Sequence, residues 1–85
     1  MEETNPYLKA TFLEVVNNQL RANDPPETRK TLDRLIAEGY SKEDAKVLIA
    51  RAVVLETFCI LKYQETYNRD RFVRNLERLP QDPTE

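Results

Sequence analysis

The sequence predicts an all-α fold, a compact four-helix domain with a long, mostly buried third helix. Three observations predict it. Apolar residues recur at helical spacing in four separate runs, and each run begins at a capping residue or a proline. The 85 residues include one glycine, too few for a turn-rich all-β domain. No stretch reads as a strand, and the 10.0 kDa chain has room for one domain. That domain is expected to span residues 1–85, with 1–4 and 81–85 as loose ends.

Asn5-Pro6 opens the first helix. Asn5 can cap, and Pro6 suits the first helical position because its missing N–H would be unbonded anyway. Tyr7, Leu8, Phe12, Val15, Val16 and Leu20 gather on one side, with Glu14 and Asn18 opposite. The helix should fade at Ala22-Asn23. Asp24-Pro25-Pro26-Glu27 starts the second helix, because proline disfavours helix in the residue before it. Leu32, Leu35 and Ile36 form its narrow apolar stripe. Gly39 stands where a left-handed cap is needed, and Tyr40 can then fold back on Leu35.

Ser41-Lys42-Glu43-Asp44 starts the third helix, with Ser41 able to accept from the Asp44 N–H. Glu43 and Asp44 also complement the positive helix end. The helix should run to Lys62 or Tyr63. Its apolar residues surround the axis, which places it centrally. Ala45, Ala50 and Ala52 allow close neighbours. Asn68 caps a last short helix that Pro80 ends. Phe72, Val73, Leu76 and Leu79 form its inner stripe, and Arg71, Arg74 and Arg78 the outer one. The predicted core is Leu8, Phe12, Val15, Val16, Leu20, Leu32, Leu35, Ile36, Ile49, Val53, Ile60, Phe72, Leu76 and Leu79.

Composition narrows the function classes. The chain has no histidine, so it offers neither an imidazole base nor an imidazole metal ligand. Its single cysteine, Cys59, lies in an apolar run and reads as a buried small hydrophobe. A net charge of −2 makes nucleic acid an unlikely partner. Gly39-Tyr40-Ser41 resembles a helix-turn-helix turn, but the following helix is too apolar to lie in a groove of DNA. No glycine-rich phosphate loop is present. The most apolar stretch, Ala45–Leu61, contains Lys46, Arg51 and Glu56, which argues against a membrane span. Met-Glu-Glu-Thr is unlike a secretory leader, so a cytoplasmic location is expected.

Two groups of side chains are candidate sites. Arg71, Arg74 and Arg78 share a helix face and could meet an anionic partner, although mixed charge on a helix more often marks a solvated face. Gln19 and Glu56 fall on apolar faces and could form a polar pocket between helices one and three. A buried carboxylate needs a partner, and Arg51 or Lys9 could supply it. The plainer reading is a satisfied core hydrogen bond or a position at the edge of burial. The aromatic set Tyr40, Phe58, Tyr63, Tyr67 and Phe72 could line a groove, but tyrosines near helix ends more often cover the core.

The order of Asn5-Pro6-Tyr7-Leu8, Asn18-Gln19-Leu20, Asp24-Pro25-Pro26-Glu27, Arg34-Leu35 and Gly39-Tyr40 resembles a bacterial family known only as a domain of unknown function. The resemblance covers about residues 5–61. It implies the same helix order and assigns no activity. It also implies histidines in relatives at the positions of Lys9 and Leu13, and at Glu43 and Val47, with a carboxylate near Leu55-Glu56. Each pair is one helical turn apart and could share a metal ion in those relatives. This chain has none of those histidines, so no metal chemistry carries over.

The function expected from the sequence is therefore a non-catalytic interaction or accessory domain, self-associating as a homodimer or binding another protein. Neither a cofactor nor a catalytic residue is nominated. The alternative is a metal- or ligand-binding domain with its pocket between helices one and three.

Overall fold

A computed structural model describes residues 6–85 of the chain. The Asn5 cap and the looseness expected of residues 1–4 lie outside the described residues. Four helices follow in order: α1 (Pro6–Ala22), α2 (Pro26–Ala37), α3 (Lys42–Tyr63) and α4 (Arg69–Arg78). There is no strand among the described residues. α3 packs against each of the other three helices, and α2 touches both α1 and α4. No described helix is long and apolar enough to cross a membrane.

The helix ends follow the local chemistry. Ser41 Oγ accepts from the Asp44 N–H at 3.0 Å, and Asn68 Oδ1 accepts from the Arg71 N–H at 3.0 Å. Each cap satisfies a donor that the first turn of a helix leaves unbonded. α2 ends at Gly39 with φ +110°, where the Gly39 N–H donates to Ile36 O and the Tyr40 N–H to Leu35 O. That is the double bond of a Schellman cap. α1 closes in the same way on Asn23 (φ 52°), with the Asn23 N–H on Leu20 O and the Asp24 N–H on Gln19 O. α3 closes on Gln64, also at φ 52°, with the Glu65 N–H reaching Ile60 O. Three helices thus stop on a residue in left-handed conformation.

The core joins Val16 of α1, Leu32 and Leu35 of α2, and Phe72, Leu76 and Leu79 of α4 and its end around Ala45, Ile49, Ala52 and Val53 of α3. Ala45 and Ala52 are wholly buried, and such small side chains let the neighbouring helices come close to α3. Phe12, Val15 and Leu20 pack against the core at partial burial. Two predicted core residues are exposed instead, Leu8 at 55% and Ile36 at 41%. Both lie at the edge of their stripes, where no neighbouring helix covers them. Ile60 is half-buried, whereas Cys59 beside it is fully buried.

The C-terminal segment is not loose. Asn75 is 1% exposed and clasps Thr84, with its Nδ2 on Thr84 O and the Thr84 N–H on its Oδ1, both at 3.0 Å. Arg51 reaches Asp82, and Tyr63 and Lys62 reach Glu85. The tail is thereby laid between α3 and α4.

Candidate functional site

Glu56 on α3 is 5% exposed, and its carboxylate accepts three hydrogen bonds. Arg71 donates from Nε to Oε1 at 2.8 Å and from Nη2 to Oε2 at 3.0 Å. The Asn68 N–H donates to Oε2 at 2.7 Å. Glu65 adds a second carboxylate to Arg71, 2.9 Å from Nη1. Burial alone would raise the Glu56 carboxyl, but the Arg71 guanidinium and the Asn68 N–H outweigh it and hold it below the ordinary carboxylate range. The bond to Glu56 also raises the Arg71 guanidinium further. This arrangement ties α3 to the start of α4 and commits both carboxylate oxygens of Glu56 to the scaffold.

The arginine stripe expected on the outside of α4 is not one. Arg71 points inward at 9% exposure. Arg74 Nη2 donates to Thr84 O at 2.8 Å, and Arg78 bonds Gln81 and Thr84 Oγ1. All three bind the chain itself. The inward stripe of α4 is Arg71, Phe72, Asn75, Leu76 and Leu79, a helical repeat in which two positions are polar. That repeat was the available signal, and the polar identities of Arg71 and Asn75 concealed it.

The polar pocket between α1 and α3 does not form either. Gln19 Oε1 accepts from Thr28 Oγ1 at 2.8 Å, which links α1 to α2. Arg51 pairs with Asp82, so neither it nor Lys9 is the partner of Glu56. Other polar residues singled out by the sequence also serve the scaffold. Glu27 binds Arg69 across α2 and α4 at 2.8 Å. Arg34 Nη2 donates to Leu76 O at 3.1 Å near the end of α4, adding to the bond that this carbonyl accepts from the Leu79 N–H.

What lies between α1 and α3 is apolar. A groove of about 350 Å³ is lined by Leu8, Phe12, Leu13, Val47, Ala50 and Val54, with Lys9 and Arg51 also on its wall. Lys9, Leu13 and Val47, three of the four positions at which the resemblance implies histidines, line this groove, and Glu43 does not. Among the described residues no three His, Cys, Asp or Glu side chains cluster as metal ligands. The groove can take an apolar group and has no ligand set for a cation.

Beside the groove α3 presents a ridge. Val54, Phe58 and Leu61 follow at helical spacing and are 43%, 48% and 73% exposed. A second depression, lined by Val54, Leu55, Phe58, Asp82 and Pro83, flanks the ridge on the side of the tail. Lys62 Nζ stands 5.4 Å from the centre of the Phe58 ring and 5.0 Å from that of Tyr63. The apolar residues of α3 surround its axis, so their spacing alone does not mark this ridge: which side stays open depends on where the other helices pack.

Comparison of the chain with models of known protein families, with curated proteins and with solved structures finds no match.

Proposed function

We propose that the protein is a non-catalytic interaction domain that self-associates through the α1–α3 face. One observation carries the proposal: the ridge Val54-Phe58-Leu61 stands exposed beside an apolar groove of about 350 Å³. Water around such a face is a standing cost, and removing it is worth roughly 1.5–3 kcal/mol for each fully buried Leu or Phe. Contiguous apolar patches of this kind mark interfaces on soluble proteins.

The spacing of large and small side chains on this face supports a second copy as the partner. Ala50 and Phe58 lie four residues to either side of Val54 on α3. A two-fold axis at Val54 sets α3 antiparallel to its copy, with Phe58 of one chain opposite Ala50 of the other. The large side chain then enters the groove that the small one leaves open. Isologous pairing repeats the same contact twice. Two cations on this face are already paired, Arg51 with Asp82 and Lys62 with Glu85 at 3.5 Å, which leaves Lys9 at the groove wall as the cation to be accommodated.

Disulfide trapping tests the axis. Val54→Cys places a thiol on it, and the native Cys59 is buried and does not compete. Oxidised Val54→Cys protein should run as a covalent dimer on a non-reducing gel. Asp33→Cys, at an exposed position on α2, should stay single under the same conditions. Equal cross-linking of the two variants would overturn the proposed axis.

A further inference from the structure

At the far end of α1 from the apolar groove, four cations meet. Arg21 from the end of α1, Arg29 from α2, and Lys42 and Lys46 from the start of α3 line one groove of about 340 Å³, together with Asn17 and Leu20. No acidic residue among the described ones lines it. Glu43 and Asp44 share the first turn of α3 with Lys42 but do not reach the groove wall, and Asp33 lies one turn beyond Arg29 outside it.

Elsewhere among the described residues seven of the nine other cations are matched, and Lys9 and Lys30 are not. Arg34, Arg51, Lys62, Arg69 and Arg71 each have a carboxylate partner, and Arg74 and Arg78 bond the tail. Among the described residues Arg29, Lys42 and Lys46 have no such partner, and Arg21 bonds only the neutral amide of Asn18. In a chain with two more acids than bases, four of the six cations without a carboxylate or tail partner among the described residues line one concavity. Gathering like charges opposes folding unless an anion occupies the site.

We propose that this groove binds a di- or triphosphoryl anion, either free pyrophosphate or the phosphate tail of a nucleotide. Three features select that class. The cations come from three packed helices, so the fold sets their spacing and little ordering is needed on binding. The site is a single concavity, whereas a nucleic-acid strand would call for an extended basic track. No aromatic ring lines it on which a base could stack, so recognition falls on the phosphates. Guanidinium and ammonium groups together give charge-assisted hydrogen bonds to phosphoryl oxygens. The inference is independent of the apolar face and of self-association.

The test is an NMR titration of the full chain with inorganic pyrophosphate, and in parallel with ADP. Pyrophosphate should shift the backbone resonances around Arg21, Arg29, Lys42 and Lys46 and leave those around Lys62, at the other end of α3, in place. The double variant Arg29→Glu/Lys42→Glu should weaken binding by at least about tenfold, whereas Lys30→Glu, an equally exposed reversal on α2, should change it less than about twofold. Affinity should fall as salt is raised. Tighter binding of ADP would identify a nucleotide tail, and equal or weaker binding a free phosphoryl anion. The proposal is overturned if pyrophosphate causes no localised shifts, or if Lys30→Glu weakens binding as much as the double variant. Circular dichroism on each variant separates loss of binding from loss of fold.

Discussion

Glu56 on α3 and Arg71 on α4 form a two-pronged ion pair, 2.8 Å from Nε to Oε1 and 3.0 Å from Nη2 to Oε2. Glu56 points to the side of α3 opposite Val54 and Phe58, since two residues turn a helix by about 200°. The helix therefore divides its work. One side carries the core and this pair, and the other carries the exposed apolar ridge.

Breaking the pair should be costly. Glu56→Ala leaves the Arg71 guanidinium buried with only the half-buried Glu65, and leaves the Asn68 N–H without its acceptor. The expected loss is about 3 kcal/mol by urea unfolding, in the range for removing one partner of a buried pair. Replacing both charges, as in Glu56→Met/Arg71→Met, should recover most of that loss. A double variant no more stable than the single one would contradict this account.

Acid should act through the same carboxylate. Glu56 titrates below its ordinary value in the folded chain, so in that window the unfolded chain binds more protons. Stability is then fully present above the ordinary glutamate pKa of about 4.3 and is lost as pH falls through the lower folded value. Urea midpoints measured from pH 6 down to about pH 3 should show a steeper fall for the wild type than for Glu56→Gln. Parallel profiles would show that Glu56 does not contribute.

The left-handed helix ends make a matched set. Gly39→Ala has open space for its Cβ but must hold φ near +110°, so it should destabilise by about 1 kcal/mol. Gln64→Gly should stabilise by about 0.5–1 kcal/mol, because φ 52° strains glutamine and suits glycine. Thermal unfolding of the two variants should shift in opposite directions.

The tail clasp is a separate contribution. Asn75→Leu keeps most of the volume but loses both bonds to Thr84 and leaves its N–H and C=O to water. The expected cost is about 1–2 kcal/mol. Amide exchange at Thr84 should rise to that of an unprotected residue, and unchanged exchange would show that other contacts hold the tail.

The helices were legible because their boundaries are written in local chemistry. Pro26, Gly39, Ser41 and Asn68 each act within four residues of themselves, and each does so where the sequence places it. Gln64 was not legible, since nothing in glutamine favours a left-handed stop. The site residues were less legible for a related reason. Glu56 needs a partner, but which arginine supplies it depends on the approach of α4 to α3, which local spacing does not encode. Arg71 was read as outward because it is charged, whereas Asn75 one turn later shares its buried face. The four cations near Arg29 come from three helices and share no sequence motif.

The central claim, that the ridge of α3 is a self-association surface, is tested most directly by sedimentation equilibrium across a dilution series of the wild type and of Phe58→Asp. The wild type should sediment as a species of twice the 10.0 kDa chain mass that dissociates on dilution, and Phe58→Asp as a folded 10.0 kDa monomer. A wild-type mass of 10.0 kDa at every concentration, or a Phe58→Asp dimer as stable as the wild type, would contradict it.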